Sequence, residues 1–231
     1  MTGAARTLAG MTTHDLRPDL ATIANPVRGR LNAAFFRLVD GYVHRRLGDR
    51  KQALFADLPQ RVVELGPGTG ANLRYFRPGT HLVAIEPNPH MHPPLARAAA
   101  AAGITLDVRA VGAEATGLPS ASVDAVVCTL VLCTVPDPAA ALAEVRRILR
   151  PGGRLLLVEH VAAGRGTFLA RLQRLLGRPW RWAFEGCHLH RHTADAVHAA
   201  GFSEVRLEHY RLRSVFLPVN QQVSGTAIVA A

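Results

Sequence analysis

The stretch Arg61-Val62-Val63-Glu64-Leu65-Gly66-Pro67-Gly68-Thr69-Gly70-Ala71 decides how the rest of the chain is read. Its first five residues are a short apolar run suited to a buried strand. The glycines then call for a turn, followed by a helix over 72–76. Three glycines spaced two apart let the backbone bend sharply and approach a ligand more closely than a Cβ allows. Such a turn aims backbone N–H groups and a helix N-terminus at whatever binds there. Taken as Gly66-x-Gly68-x-x-Ala71, the same letters fit the dinucleotide fingerprint, so a nicotinamide cofactor stands as one reading.

Two carboxylates bear on that choice. Glu64, on the strand two residues before the first glycine, would repel a pyrophosphate. It suits a ligand with a cationic end, such as the amino and sulfonium groups of S-adenosylmethionine (AdoMet). Glu86 ends the next apolar run, 82–85, about twenty residues on, where a ribose-binding acid belongs in either cofactor's fold. A vicinal diol offers two donors to the two oxygens of a carboxylate.

A chain of 231 residues can bury one good core and is short for two ordinary domains. No apolar run approaches the ~18 residues of a membrane helix. Residues 1–10 hold an arginine but no apolar core of signal-peptide length, so a cytoplasmic protein is expected. Cys128, Cys133 and Cys187 match neither a disulfide framework nor zinc spacing, and no metal site is expected. Within their apolar run Cys128 and Cys133 act as small hydrophobes. The net charge of +10 rests on 27 basic residues, of which only Lys51 is lysine. The arginines are scattered rather than clustered, which describes a solvated surface and no nucleic-acid partner.

Residues 1–24 lack periodicity and read as loosely ordered. Asn25-Pro26 can open a helix, in which Phe35, Leu38, Val39 and Tyr42 recur at helical spacing. A second short helix is predicted over 50–57, ending before Pro59. Residues 1–60 thus read as a tail and helical lid ahead of a core over 61–231. In that core, strand-like runs at 61–65, 82–86, 104–109, 124–132 and 154–161 alternate with helical runs near 71–76, 91–102 and 138–149. The alternation predicts an α/β fold of parallel βαβ units, helices on both faces and ligands at the carboxyl ends of the strands. Helices at 164–176 and 192–200 form an insert over about 162–200, and 204–210 and 225–229 read as the last strands.

Taken together, Glu64-Leu65-Gly66-Pro67-Gly68-Thr69-Gly70, Glu86, Val123-Asp124-Ala125-Val126-Val127-Cys128, Leu149-Arg150-Pro151-Gly152-Gly153 and the two-strand C-terminus resemble a class I AdoMet-dependent methyltransferase. The resemblance implies a Rossmann-like, seven-stranded, mostly parallel sheet with a reversed last strand. Several phrases are similar to the methyltransferase-like protein 7 family: Gly70-Ala71-Asn72, Glu86-Pro87-Asn88-Pro89, the run from Val126 to Cys133, Glu159-His160-Val161-Ala162-Ala163 and Gly186-Cys187. Its animal members are microsomal alkyl thiol methyltransferases. Their N-terminal membrane segment has no match in this sequence, so their location does not carry over. Gly112 also stands where many wider relatives have an acid for the adenine amine, which leaves adenine to backbone groups.

By this resemblance Gly66, Gly68 and Gly70 line the methionine and ribose, Glu86 takes the ribose hydroxyls, and Asn88 and Met91 flank the adenine. Ala113 and Glu114 sit near the adenine edge, and Cys128, Thr129 and Leu130 run beneath the methionyl group. Glu64, Asn72 and Pro87 complete the cofactor set. Transfer from a sulfonium is an in-line displacement, so alignment does most of the work. A thiol of pKa near ~8.5 needs little help from a base. His160, just past strand five, is the best-placed catalytic candidate, ahead of His188, His190 and His192. Tyr42, Cys133, Trp180, Cys187 and His188 join it as candidate substrate residues. The implied activity is methyl transfer to a small lipophilic acceptor, a thiol first of all, with S-adenosylhomocysteine as product. A lipid or quinone methyltransferase, an AdoMet-binding protein without turnover and a nicotinamide-dependent oxidoreductase are the alternatives.

The segment 168–184 interleaves Arg171, Arg174, Arg178 and Arg181 with Leu172, Leu175, Leu176, Trp180 and Trp182. Such a helix suits peripheral membrane contact, and equally a lid over a hydrophobic substrate. Lid or core is the preferred expectation.

Overall fold

The structure, a computed structural model, describes residues 26–231; the expected loose tail over 1–24 lies outside them. Helix α1 spans Pro26–Leu54 without interruption, where the sequence predicted two helices. Gly41 and Gly48 weaken it by about 1 kcal/mol each. Tertiary contacts at its C-terminal end outweigh them: Leu47, Lys51 and the following Phe55 are all buried.

Seven strands follow: β1 (Arg61–Leu65), β2 (His81–Ile85), β3 (Thr105–Arg109), β4 (Val123–Thr129), β5 (Leu149–His160), β6 (Glu204–Arg211) and β7 (Gln221–Ile228). They form one sheet in the order β3-β2-β1-β4-β5-β7-β6. The first five are parallel, and β7 runs antiparallel to both β5 and β6. This is the expected Rossmann-like sheet with its reversed last strand.

Side-chain alternation splits the core between the two faces. Val63 and Leu65 of β1 and Val126 and Cys128 of β4 pack with Leu142, Val145 and Val197. Those partners belong to α3 (Pro138–Ile148) and α5 (Thr193–Ala199). Val62, Ala125 and Val127 face the other way, against Phe55, Leu73, Tyr75 and Leu95, the last on α2 (His92–Ala101). Glu64, two residues from Val62, shares this second face.

Three expectations are corrected. The glycine turn leads into a 3-10 turn, Leu73–Tyr75, and not a helix over 72–76. Strand β4 ends at Thr129 rather than 132, because Leu130 takes a left-handed φ of 57° that breaks the extended run. Helix α4 spans Phe168–Ala183, later and longer than 164–176, and contains Pro179. Thr167 caps its start by accepting a hydrogen bond from the Ala170 N–H. The carbonyl freed by Pro179 belongs to Leu175, which is 76% exposed and can bond water instead.

Glu144 fastens α3 to the loop before β4. One oxygen accepts the Thr116 N–H at 2.8 Å and the Thr116 hydroxyl at 2.6 Å, and the Arg147 guanidinium grips both oxygens. The Arg147 hydrogen bond comes first among the causes that hold this carboxyl down at about 2. A depressed carboxyl contributes stability that is complete above its unfolded value and fades as pH falls towards the folded one. Glu144→Ala should therefore cost about 2 kcal/mol near neutral pH, by orphaning the Thr116 donors. Urea midpoints measured from pH 7 down to pH 3 should show the gap between variant and wild type narrowing as acid is added.

Candidate active site

Strands β1, β2 and β4 end within a residue of one another, Leu65 pairing with both Ile85 and Cys128, while β5 runs past Leu157, the partner of Cys128, to His160. The strand order reverses between β1 and β4, which opens a crevice beyond the strand ends. The crevice is a cavity of about 310 Å³. Phe35, Phe36, Val39 and Val43 of α1 cover it from one side, and Trp180 of α4 with Phe184 and Cys187 from another. The cover is a continuous aromatic packing, with Phe35 against Phe184 and Phe216, and Trp180 against Phe184. The Asn32 side chain donates to the Ala183 carbonyl at 3.0 Å and ties α1 to α4.

At one end the glycine turn meets three carboxyl groups. Gly66 has φ 54°, and a Cβ there would lie 2.5 Å from the Val131 side chain. Gly68 has φ 57°, and a Cβ would meet no atom within 4 Å. Gly68 lines the cavity, so that open space is room for a ligand. Glu86 is braced by the Gly68 N–H at 3.0 Å and the Asn88 N–H at 2.9 Å, one on each oxygen. The second lone pair of each oxygen remains for a ligand's donors. Glu64 is fully buried and receives the Asn72 amide at 2.6 Å; Asn72 in turn accepts from Lys51 Nζ at 2.8 Å. The other oxygen of Glu64, Oε2, has no partner. Glu185 lines the cavity at φ 48° and accepts from the Asn88 amide at 2.9 Å.

Burial dominates the titration of all three acids. It pushes Glu64 and Glu86 up to about 7, against the lowering effect of their hydrogen-bond donors. Glu185 rises to about 8 through burial and then the nearby charge of Glu86. Burial likewise drops Lys51 to about 8. A cavity walled by carboxyls that resist ionising on their own favours a ligand that brings positive charge and N–H or O–H donors.

The other end is thiol and imidazole. His160 Nε2 lies 3.1 Å from Cys187 Sγ, Cys187 Sγ lies 3.7 Å from Cys133 Sγ, and the Trp180 indole N–H points at Cys187 Sγ from 3.4 Å. Hydrogen bonding to Cys133, foremost, and then the charge of His160 hold the Cys187 thiol well below its ordinary value, against the opposing effect of burial. Burial alone would lower His160, but Cys187 and then the charge of Glu159 outweigh it and the imidazole is raised. Beneath them Glu159 accepts the N–H groups of Val131 at 2.7 Å, Leu132 at 2.9 Å and Cys133 at 3.3 Å.

Of the residues singled out in the sequence, Gly66, Gly68, Asn72, Glu86, Pro87, Met91, Ala113, Glu114, Thr129, Leu130, Cys133, His160, Trp180 and Cys187 line this one cavity. Glu64 stands directly behind Asn72. The others are displaced from it. Gly70 packs under Ala98 and Leu73, so it shapes the turn rather than touching a ligand. Asn88 lies beneath Glu86 and Glu185 as a brace. Cys128 is buried in the floor, 3.5 Å from Glu159. Tyr42 turns away from the cavity and its hydroxyl accepts the Val215 N–H. His188 contributes its backbone N–H to the Cys133 carbonyl. The sequence reading missed Lys51 as a site residue, although it is the chain's single lysine, and Glu185, although it adjoins the quoted Gly186-Cys187. The 3-10 turn after the glycines offers no helix N-terminus to a pyrophosphate, which removes the structural support for the nicotinamide reading.

A methyltransferase domain model matches residues 63–157. Human thiol S-methyltransferase TMT1B is 35% identical over 196 residues, covering 80% of each chain. Human thiol S-methyltransferase TMT1A is 34% identical over 196 residues, again 80% of each chain. Among solved structures, an AdoMet-dependent methyltransferase from Thermotoga maritima, described as a possible histamine N-methyltransferase, aligns over 91% of this chain and 99% of its own. Its TM-score is 0.60 at 21% identity, a likeness of fold.

Proposed function

Because the chain belongs to the thiol S-methyltransferase (methyltransferase-like protein 7) family of class I AdoMet-dependent methyltransferases, we propose that its acceptor is the sulfur of a small lipophilic thiol. The observation that carries this reading is the pairing of the two ends of one cavity. A cradle for a cationic, diol-bearing cofactor opens directly onto an apolar chamber that ends in Cys133, His160 and Cys187.

The cradle fits AdoMet on its own terms. The open space at Gly68 admits a ligand against the backbone, Glu86 presents free lone pairs for a diol, and Glu64, buried behind Asn72, adds a second carboxyl to that end. AdoMet supplies an electrophilic methyl: an acceptor lone pair forms the new S–C bond while the sulfonium C–S bond breaks, its electron pair staying on the homocysteine sulfur. The chain's own part is to hold and align. Glu64 and Glu86 fix the cofactor end, and the aromatic cover excludes water and accepts an apolar acceptor. His160 we assign to the acceptor's proton or charge, since a thiol is already a few per cent thiolate at neutral pH and a nearby cation suffices. The three cysteines are free, which suits the reducing cytoplasm we assign as its location.

The acceptor reading is tested by S-adenosylhomocysteine release with matched thiols, phenols, amines and lipids. Turnover confined to small lipophilic thiols is expected; turnover on the other classes alone would discard the thiol. The cofactor site makes a separate prediction. Donors and cations favour ionised Glu64 and Glu86, whose ligand-free values near 7 mean that binding below neutrality must release protons. AdoMet affinity should therefore fall as pH drops below about 7, by up to tenfold per unit for each carboxyl that ionises on binding. Calorimetry in buffers of different ionisation enthalpy should detect the released protons. Glu86→Gln should weaken binding about 10- to 100-fold and flatten the pH dependence; an unchanged slope would remove Glu86 from the ribose.

A second observation favours a membrane surface as a partner. Helix α4 covers the cavity through Trp180, as a lid would, but it is no core helix: Gln173 is its one buried residue. Phe168, Leu175 and Trp182 are 76%, 76% and 68% exposed, and the helix carries Arg171, Arg174, Arg178 and Arg181 with no acid. We propose that this face rests on anionic lipid, each arginine contributing about 1 kcal/mol near the surface. No helix of the described residues is long and apolar enough to cross a membrane. The protein should sediment with phosphatidylserine-containing vesicles and be released by salt, and Arg174→Glu/Arg178→Glu should abolish the binding. Equal sedimentation of that variant would refute the surface.

A further inference from the structure

Cys133, His160 and Cys187 come from three separate segments: the loop after β4, the end of β5 and the loop after α4. We propose that these three side chains bind a thiophilic divalent cation, zinc by the chemistry of the donors, leaving a fourth coordination position open to the cavity for the sulfur of the acceptor. The metal site stands on the donor geometry alone; the role of the fourth position rests on the thiol reading above.

The donor atoms all lie within 4.8 Å of one another. Tetrahedral zinc, with Zn–S of about 2.3 Å and Zn–N of about 2.0 Å, has edges of about 3.8 Å between sulfurs and about 3.5 Å between sulfur and nitrogen. The Cys133–Cys187 separation of 3.7 Å matches the first edge as it stands. The His160–Cys187 separation of 3.1 Å needs to open by less than about half an ångström to match the second. Two cysteines and one histidine with a position left open is a catalytic rather than a structural ligand set. All three residues are buried, yet all three line the cavity, so an ion and then a substrate can reach them.

The surroundings hold the two loops that carry the cysteines, while Nδ1 of His160 is buried without a partner. Glu159 gathers the N–H groups of the loop that carries Cys133, as described above. The Arg191 guanidinium clamps the same loop, donating to the Leu132 carbonyl at 2.7 Å and the Val135 carbonyl at 2.6 Å. The His188 N–H donates to the Cys133 carbonyl at 2.8 Å, joining that loop to the one carrying Cys187. Ligands positioned by their neighbours in this way lose little freedom on binding.

The charges balance. A divalent ion bound by two thiolates and a neutral imidazole leaves a neutral centre, and the protons it displaces from these ligands go to solvent. An acceptor thiol forms its S–metal bond as a thiolate and gives its proton to solvent; a metal ion deprotonates a coordinating thiol outright. After methylation the sulfur is a neutral thioether, a poorer ligand, and leaves. With the ion bound, His160 acts as its ligand, and the cation rather than the imidazole keeps the acceptor sulfur as the thiolate.

Cobalt is the probe, because tetrahedral Co²⁺ bound by thiolate shows charge-transfer and d–d absorption. Protein stripped with a chelator under reducing conditions should bind one equivalent of Co²⁺, develop both sets of bands and lose them to Zn²⁺. Cys133→Ser, Cys187→Ser and His160→Gln should each weaken Co²⁺ binding at least about tenfold, while far-UV circular dichroism confirms that each variant is folded. A small lipophilic thiol, but not the matching alcohol, should shift the d–d bands. Absence of a charge-transfer band in the wild-type protein, or its persistence in the Cys133→Ser/Cys187→Ser double variant, would overturn the metal site. Bands indifferent to the thiol would overturn the role of the fourth position. Bands that respond to thiol without any S-adenosylhomocysteine release would instead overturn the acceptor reading and leave the metal site standing.

Discussion

One buried chain of hydrogen bonds, from Lys51 through Asn72 to Glu64, ties the helical cover to the sheet. Each member would be costly to bury alone. An isolated carboxylate or ammonium in such a place is neutralised or expelled. Joined through the amide of Asn72, the two charged groups satisfy most of their needs, and α1 is fixed over the strand that opens the glycine turn. The Asn72 amide also donates to the Thr129 hydroxyl at 3.1 Å, so the link extends across the switch point to β4. The arrangement leaves one oxygen of Glu64 unpartnered.

The same logic applies at the opposite rim. Three described non-glycine residues have left-handed φ, and two of them, Leu130 and Glu185, line the cavity. Left-handed backbone at an ordinary side chain costs about 1 kcal/mol or more, and it persists only where neighbours over-determine it. At Leu130 the neighbours are the Val158 carbonyl, which takes the Leu130 N–H at 2.8 Å, and Glu159, which collects the N–H groups that follow. Turning the chain out of β4 at this point brings Cys133 beneath α4 instead of carrying it onward in the sheet. The geometry of the acceptor end is thus a consequence of where β4 stops.

That stopping point marks the limit of what the sequence discloses. The alternation of strands and helices was legible because it rests on local signals, apolar runs and glycines at fixed spacing, whereas the reversed last strand came only from the family resemblance. The run Val126 to Cys133 is apolar apart from Thr129 and carries no glycine or proline, so strand and loop look alike in it. The continuity of α1 and the passage of α4 through Pro179 were hidden for the opposite reason. There the local signals, two glycines and a proline, point to breaks that packing and solvent exposure override. Tyr42 and Gly70 were misplaced because helical or motif spacing says which residues share a face but not how far a side chain lies from a cavity. Lys51 and Glu185 went unassigned because the partners that give them meaning, Asn72 and Asn88, are 21 and 97 residues away.

Cysteine spacing shows the same limit most sharply. Metal ligands read from sequence are usually those that one hairpin or one helical turn brings together, and Cys133, His160 and Cys187 have no such local relation: His160 and Cys187 lie 27 residues apart and Cys133 and Cys187 lie 54. Their meeting depends on three conditions that only the folded chain imposes. Strands β4 and β5 must pair in parallel with Cys128 beside Leu157, so that both chains leave the sheet at the same edge. The chain must turn at Leu130, which swings Cys133 back over the strand ends. Finally, α4 must dock so that its following loop returns to that edge. The last condition is met by Gln173, whose amide is anchored to the Ala163 N–H, the Val161 carbonyl and the Pro218 carbonyl. A single buried glutamine on a helix whose other residues are half-buried or exposed therefore positions the helix by polar contacts, and leaves its apolar side chains free for the cavity on one face and for a surface on the other.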